Sequence, residues 1–317
     1  LLAVQGQDPR GFRLAVRART EGLTAADVER SLAERELIVT WLNRGTLHLI
    51  RSADYPLLQA LTTPPLFTSS TRRLRNKGVG EAQAERALAM IERALAEEGP
   101  LTRIQLRERL NSAGMRTEGQ ALLHLFFLAA VRGIVVRGPM IGKQHAYVLV
   151  RDWLDDPQPM DREKALAELA RRYLIGHQPA TDRDLAKWAG LPLRDARAGL
   201  AAIASELEES EEGLVRLNKG NPDPEPIPPP RLLGAFDPVL LGWTSRADIL
   251  GPHTNLVTRN GIFHPFAMVD GRAVAKWGLA GGKLTLKPLQ RLPAKVSRAL
   301  EADAEGVTRF LAGHSAG

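Results

Sequence analysis

An α+β protein is what this sequence predicts, and three observations carry the prediction. A capped helix running into a strand hairpin occurs three times, a proline-dense segment then interrupts the pattern, and short strands joined by two-residue turns follow it. The architecture they imply is a series of tandem winged-helix (helix-turn-helix) units followed by a C-terminal β-barrel-like domain.

The first unit is read from residues 23–50. Thr24 with Asp27 three positions on forms a capping box, and Leu23 and Val28 stand at the staple positions either side, so a helix starts here and runs through Leu32 and Leu37. Residues 38–42 and 46–50 are β-prone runs joined by Asn43-Arg44-Gly45, a short turn with a cation at its tip. A helix leading into such a hairpin is the back half of a winged helix. The pattern recurs at Thr102 and Gln105, which open a helix to Leu110. Residues 119–131 then supply a strongly apolar helix, and strands at 134–137 and 146–150 flank a turn over 138–145. A third copy opens at Thr181 with Asp184, continues as helix through 192–206 and closes on 213–217. A helical connector, 52–62 and 80–99, separates the first two copies.

The segment 221–230 holds six prolines and fits neither helix nor inner strand, so it is read as an extended linker. Beyond it, Asp270-Gly271 and Gly281-Gly282 mark two hairpins, and a last helix over 293–312 carries Val296, Leu300, Val307 and Leu311 on roughly one face. The expected division is a first winged helix at 1–51, a connector at 52–100, further winged helices at 101–152 and 161–220, the linker at 221–230 and a β-domain at 231–317. The first residue is Leu rather than Met and falls within an apolar pattern, so residues upstream, including helices of the first unit, are expected.

The 317 residues carry 43 Lys plus Arg against 36 Asp plus Glu, a formal charge of +7. Such an excess points to a polyanionic partner if it is gathered on one surface. With no cysteine, disulfides, thiolate catalysis and Cys-type zinc sites are excluded. No window approaches the roughly 20 apolar residues of a membrane span and no signal peptide is recognisable, so a cytoplasmic protein without a membrane partner is expected. The His and acid positions lack metal-ligand spacing and no glycine loop is shaped for phosphates, so neither metal nor cofactor is expected.

Four strings in this chain have a family resemblance. They are Leu2-Ala3-Val4-Gln5-Gly6-Gln7-Asp8-Pro9-Arg10, Asn43-Arg44-Gly45-Thr46-Leu47-His48-Leu49, Phe236-Asp237-Pro238-Val239-Leu240-Leu241-Gly242, and Met268-Val269-Asp270-Gly271-Arg272-Ala273-Val274. Together they make the sequence, over nearly its whole length, resemble the winged-helix DNA glycosylases of the AlkZ and YcaQ type. The resemblance implies a C-shaped molecule that excises alkylated bases and unhooks interstrand crosslinks, with damaged double-stranded DNA as its partner, a monomeric state and a nucleoid-associated location. It also implies a catalytic motif of Gln, an aliphatic residue, then Gln or Asp, which maps onto Gln5, Gly6 and Gln7. Gly6 departs from that motif, since a side chain is usual there, and Gln rather than Asp at position 7 places the chain on the crosslink-resistance side of the family. Arg44, His48, Lys143 and His145 on the two hairpins are candidate DNA contacts, a hydrogen-bonded structural histidine being the other reading of His48 and plain solvation that of Lys143 and His145; Arg72, Arg73, Arg75 and Lys77, read as a basic loop between helices, are candidate phosphate contacts or a solvated loop. Asp237 is read as a turn residue and the five tryptophans as core.

The residues fit one kind of hydrolysis. A carboxamide neither gives nor takes a proton near neutral pH, so two of them can only hold a water in place. That suffices when the leaving group departs readily, as an N7-alkylguanine does because its glycosidic bond breaks to neutralise a cation. A non-catalytic DNA-binding regulator is the rival reading, but it needs a polar recognition helix, and the second candidate, Ala121 to Val131, is too apolar to lie in a groove. A protein-interaction scaffold is a third, if the basic residues are dispersed.

Overall fold

The structure is a computed structural model, described for residues 1–158, 160–218 and 227–313. The chain enters as a two-residue strand, β1 (Val4–Gln5), and starts helix α1 (Pro9–Arg17) beneath Asp8, whose carboxylate accepts the Gly11 N–H at 2.6 Å. The Thr24 capping box forms as expected and opens α2 (Ala25–Ala33). Leu23 is 45% exposed, so the expected staple makes no buried contact. The helix also stops short of Leu37, because Arg35 turns the chain at φ 66° into β2 (Leu37–Leu42). After the turn Asn43–Gly45, β3 (Thr46–Arg51) completes the first hairpin.

Helices α3 (Tyr55–Thr62), α4 (Phe67–Asn76) and α5 (Glu81–Glu98) follow. The basic residues Arg72, Arg73 and Arg75 therefore stand on a helix, with Lys77 at its C-cap, rather than in the loop expected. The buried Leu74 holds this helix against α7 (Ala121–Val131), which comes after α6 (Arg103–Ser112). The second hairpin is β4 (Val135–Ile141) with β5 (Gln144–Leu149), so the expected eight-residue turn shrinks to Gly142-Lys143. Gly138-Pro139 reads as a turn in sequence, but here the pair makes an irregularity between Arg137 and Met140, where a proline without an N–H is tolerated. A single turn, α8 (Val150–Trp153), leads to α9 (Arg162–His177), α10 (Asp182–Ala189) and α11 (Leu193–Ala202). The last helix ends earlier than expected, and Leu207–Glu209 (β6) pairs with Val215–Leu217 (β7).

Both larger hairpins belong to one antiparallel sheet of order β1-β3-β2-β4-β5, joined at Val39 opposite Arg137. Ile38, Leu42 and Ile50 face a core shared with α3, α9, α10 and α11. Val39 and Leu49 face the opposite way, toward α1, α2 and the C-terminal part of the chain. That part comprises β8 (Arg231–Leu233), the turn α12 (Ala247–Leu250), β9 (Phe266–Val269), β10 (Arg272–Ala280), β11 (Lys283–Pro288) and α13 (Ala294–Ala312). Asp270 and Gly271, at φ 48° and 76°, make the two-residue turn that the sequence signals. The four strands lie in the order β11-β10-β9-β8, an open antiparallel sheet whose edges β8 and β11 do not meet, so no closed barrel forms among the described residues. Residues 221–226 of the expected linker lie outside the described residues.

Two features dock the C-terminal sheet onto the start of the chain. A Cβ on Gly11 would lie 2.4 Å from the Ala235 carbonyl oxygen, so the backbones of α1 and the segment after β8 touch directly. Asp303 on α13, its side chain 5% exposed, accepts from Arg17 at 2.6 Å, from Arg231 at 3.1 Å and from the Leu232 N–H at 2.7 Å. A carboxylate this buried is tolerated because its lone pairs are all claimed by donors.

Candidate active site

β1 lies along β3 with Val4 opposite Leu49 and Gln5 opposite His48, and the Gly6 N–H donates to the Leu47 carbonyl at 2.6 Å. His48 in turn lies opposite Thr40 of β2. Residues opposite one another in antiparallel strands project to the same face, so Gln5, His48 and Thr40 form a polar row across three strands. At 6%, 3% and 1% exposure, the row is sealed from solvent.

Gln7, one corner further along, is exposed. The Gln5 amide nitrogen donates to the Gln7 amide oxygen, so the two carboxamides form one unit running from the interior to the surface. The nearest carboxylate in sequence, Asp8, has an oxygen engaged as the N-cap of α1.

Behind Gln5 stands Arg44. The sequence places this cation at the tip of a turn, and the structure folds it inward. One guanidinium nitrogen donates to the carbonyls of Trp188 and, at 3.4 Å, Lys187 at the C-terminal end of α10; the other donates to the Gln5 amide oxygen at 3.3 Å. Burial, reinforced by the charge of Arg246, lowers the Arg44 pKa to about 10. Arg246 donates through Nε to the Leu240 carbonyl and lies 5.1 Å over the Phe263 ring. Sequence reasoning missed Arg246; the available signal was its place four residues past the Phe236-to-Gly242 string.

Of the two readings of His48, the buried geometry fits the hydrogen-bonded structural histidine. Its Nδ1–H donates to the Thr46 carbonyl at 2.9 Å, which fixes Nε2 as the acceptor, and burial, with Arg44 nearby, lowers its pKa to about 3. A neutral, buried imidazole offers no charge to a phosphate. His145 is likewise turned in from the second hairpin. Its ring lies 6.0 Å from that of Phe12, and burial followed by the charge of Arg13 lowers its pKa to about 4, so it too is neutral at pH 7. Lys143 remains exposed at the tip of that hairpin.

Arg72, Arg73, Arg75 and Lys77 are all exposed, and none forms an ion pair among the described residues. Their helix begins beside the amide corner's supporting turn, since a Cβ on Gly45 would lie 3.5 Å from Leu66 and 3.4 Å from Phe127. Asp237 is fully buried, pairs with Arg19 at 2.7 Å and accepts the Val239 N–H, which matches the turn role read from sequence. Among the described residues no cluster of His, Cys, Asp or Glu is arranged to hold a metal, and no helix is long and apolar enough to cross a membrane.

The amide unit runs from the sealed polar row to the surface at Gln7, and the nearby α4 carries only basic charges on its exposed face. The chain belongs to the family described as DNA glycosylase AlkZ-like, whose model matches residues 1–310, and it is a DNA glycosylase. It is 30% identical to the interstrand DNA cross-link repair glycosylase of Streptomyces sahachiroi, over 98% of this chain and 88% of that protein. The solved structure of the Streptomyces sahachiroi DNA glycosylase AlkZ superposes with a TM-score of 0.77 at 26% identity, covering 97% of this chain and 88% of that one.

Proposed function

We propose that the protein is a monofunctional glycosylase that hydrolyses the N-glycosidic bond of cationic N7-alkylated purines in duplex DNA and, like the cross-link repair relative, unhooks interstrand crosslinks. The observation that carries the reading is the amide unit, with Gln5 buried and Gln7 exposed. Gln7 holds the attacking water with its free donor and lone pair, and Gln5 fixes the Gln7 amide from behind. Neither amide can protonate a leaving base, so the cation on the alkylated purine supplies the activation, and water captures the oxocarbenium-like sugar. No cysteine or lysine nucleophile is assigned at the corner, so the product is an abasic site in an uncut strand. The helix-hairpin units act as winged helices used for scaffolding, in a monomer that contacts phosphates through Arg72, Arg73, Arg75, Lys77 and Lys143. The burial of α7 removes one candidate recognition helix, which counts against the regulator reading.

The test is single-turnover base release from duplexes carrying one N7-methylguanine or one uracil. Gln7→Ala is expected to lower release from N7-methylguanine by roughly 10-fold to 1000-fold, the worth of one positioning hydrogen bond, with duplex affinity nearly intact. Asp8→Asn keeps the cap acceptor and removes the charge; a collapse of the rate in that variant would assign catalysis to the carboxylate instead. Comparable release of uracil, or strand cleavage before alkali, would overturn the proposal.

A further inference from the structure

We propose that Arg44 is a positioning residue of the amide unit. Its guanidinium ties the Gln5 amide oxygen to the last carbonyls of α10, which turns the Gln5 NH2 onto the Gln7 oxygen. The inference rests on the amide unit being the catalytic element.

A carboxamide has two ends of nearly equal size, and its partners decide which way it points. Left alone, Gln5 could present either its oxygen or its nitrogen to Gln7. A guanidinium only donates, so with Arg44 Nη2 3.3 Å from Gln5 Oε1 the oxygen end is committed to Arg44 and the nitrogen end must face Gln7. Gln7 then has to turn its own oxygen inward, which leaves both its N–H groups and one lone pair for a water outside. Flipping Gln5 would set its nitrogen against the guanidinium and its oxygen against the Gln7 oxygen. The orientation of the whole unit is therefore set at Arg44.

Arg44 is itself held from two directions. The carbonyls of Lys187 and Trp188 take its other nitrogen at the C-terminal end of α10, where the helix dipole favours a cation. Its backbone sits at φ 59°, in the left-handed region, and is closely abutted by Gly190, where a Cβ would come within 2.8 Å of the Arg44 nitrogen. The bare α-carbon of Gly190 lets the turn approach the helix end closely enough for the guanidinium to reach both its carbonyls and Gln5. No carboxylate pairs with Arg44 among the described residues, so its hydrogen bonds are to neutral oxygens alone. The amide unit thus hangs from a helix end through a chain of donors and acceptors that has a single consistent direction.

The experiment measures single-turnover release from an N7-methylguanine duplex, together with duplex affinity, for Arg44→Ala, Arg44→Lys, Gln5→Ala and the Arg44→Ala/Gln5→Ala double variant. Arg44→Ala is expected to lose roughly 10-fold in rate with affinity changed by less than about 3-fold, and adding it to Gln5→Ala should cost less than about 2-fold more, because the two act as one unit. Millimolar guanidinium should restore part of the rate to Arg44→Ala and none to the variants lacking Gln5. Arg44→Lys keeps a cation but not the fork, so it is expected to fold and to remain slow; if Arg44→Ala does not fold, this variant, alone and combined with Gln5→Ala, decides the question. Losses that multiply in the double variant, or a wild-type rate in Arg44→Ala and Arg44→Lys while Gln5→Ala is slow, would overturn the tie and leave the amide reading intact. A wild-type rate in Gln5→Ala would overturn the amide reading beneath it.

Discussion

Gly6 separates the two amides, and replacing it with alanine asks what the missing side chain does to their aim. A Cβ built on Gly6 would lie 3.4 Å from Val39 Cγ1 and 3.5 Å from the backbone of His48, which is ordinary contact, and Gly6 does not need the left-handed backbone that would strain a side chain. The added methyl is therefore accommodated. It removes backbone freedom worth about 0.4–1 kcal/mol from the unfolded chain and buries a group worth about 0.8 kcal/mol, so a gain of roughly 1–2 kcal/mol is expected. At about 1.5 °C per kcal/mol for a chain of this length, this is a rise of about 2–3 °C in Tm. Because β1 and α1 already hold the corner, that freedom is lost on folding, so single-turnover base release should stay within about 2-fold of the parent. Thermal unfolding and single-turnover release measured on one preparation give both numbers. A variant that is less stable than its parent would refute the packing argument. One that is more stable but several-fold slower would refute the clamped corner and show that the added methyl changes the aim of the amides.

Replacing Arg72, Arg73, Arg75 and Lys77 together with alanine should lower the slope of log K against log salt by about one unit for each phosphate that these side chains neutralise, with melting temperature unchanged because the four side chains are exposed. An unchanged slope in a duplex titration would remove α4 from the interface. Stability should fall on acidification. His48, at about 3, and His145 and His177, at about 4, are held neutral mainly by burial, so each contributes stability that is full above the unfolded value near 6.5 and lost as pH falls toward the folded one. At pH 5 the expected loss is on the order of 1–2 kcal/mol for each, and a melting temperature equal at pH 7 and pH 5 would refute their neutral burial.

Local chemistry was legible in the sequence wherever one residue type has one use. The threonines at 24, 102 and 181 cap helices because each is followed three positions on by an acceptor that returns the bond, and all three boxes form. Asp270-Gly271 turns because two successive positive φ angles suit few other pairs. The errors arose where tertiary contacts outrank local preference. Gly138-Pro139 stays within a strand because β5 and the sheet hold it there, and residues 67–76 become a helix because Leu74 is anchored on α7. Leu207–Glu209 pairs as a strand with no β-branched residue, on the strength of its partner Val215–Leu217. At the site, the pairing of Gln5 with Gln7 could be guessed from their spacing, but the direction of Arg44 could not. It depends on the end of a helix more than 140 residues away in the chain.

The sheet explains why so modest a pair of side chains can be rigid. A two-residue strand such as β1 has little pairing of its own, and an amide on a free terminus would sample many directions. Here β1 lies at the edge of a five-stranded sheet whose two faces are covered by separate cores, one built on α9 to α11 and the other on α1, α2 and the C-terminal sheet. The chain then turns at Gly6 straight into α1, whose backbone touches the segment after β8 at Gly11. The amide corner is thus clamped between two elements that are each fixed by distant parts of the sequence. Gln5 is held on the inner side by the row with His48 and by Arg44, while Gln7 alone reaches the surface. Catalysis by positioning alone requires this arrangement, because an amide supplies no proton and any looseness in its direction subtracts directly from the only contribution it makes. On the proposed mechanism it also places Gln7 on an open surface, where a purine bearing a large N7 substituent, or one still joined to the opposite strand, would reach the water without entering an enclosed pocket.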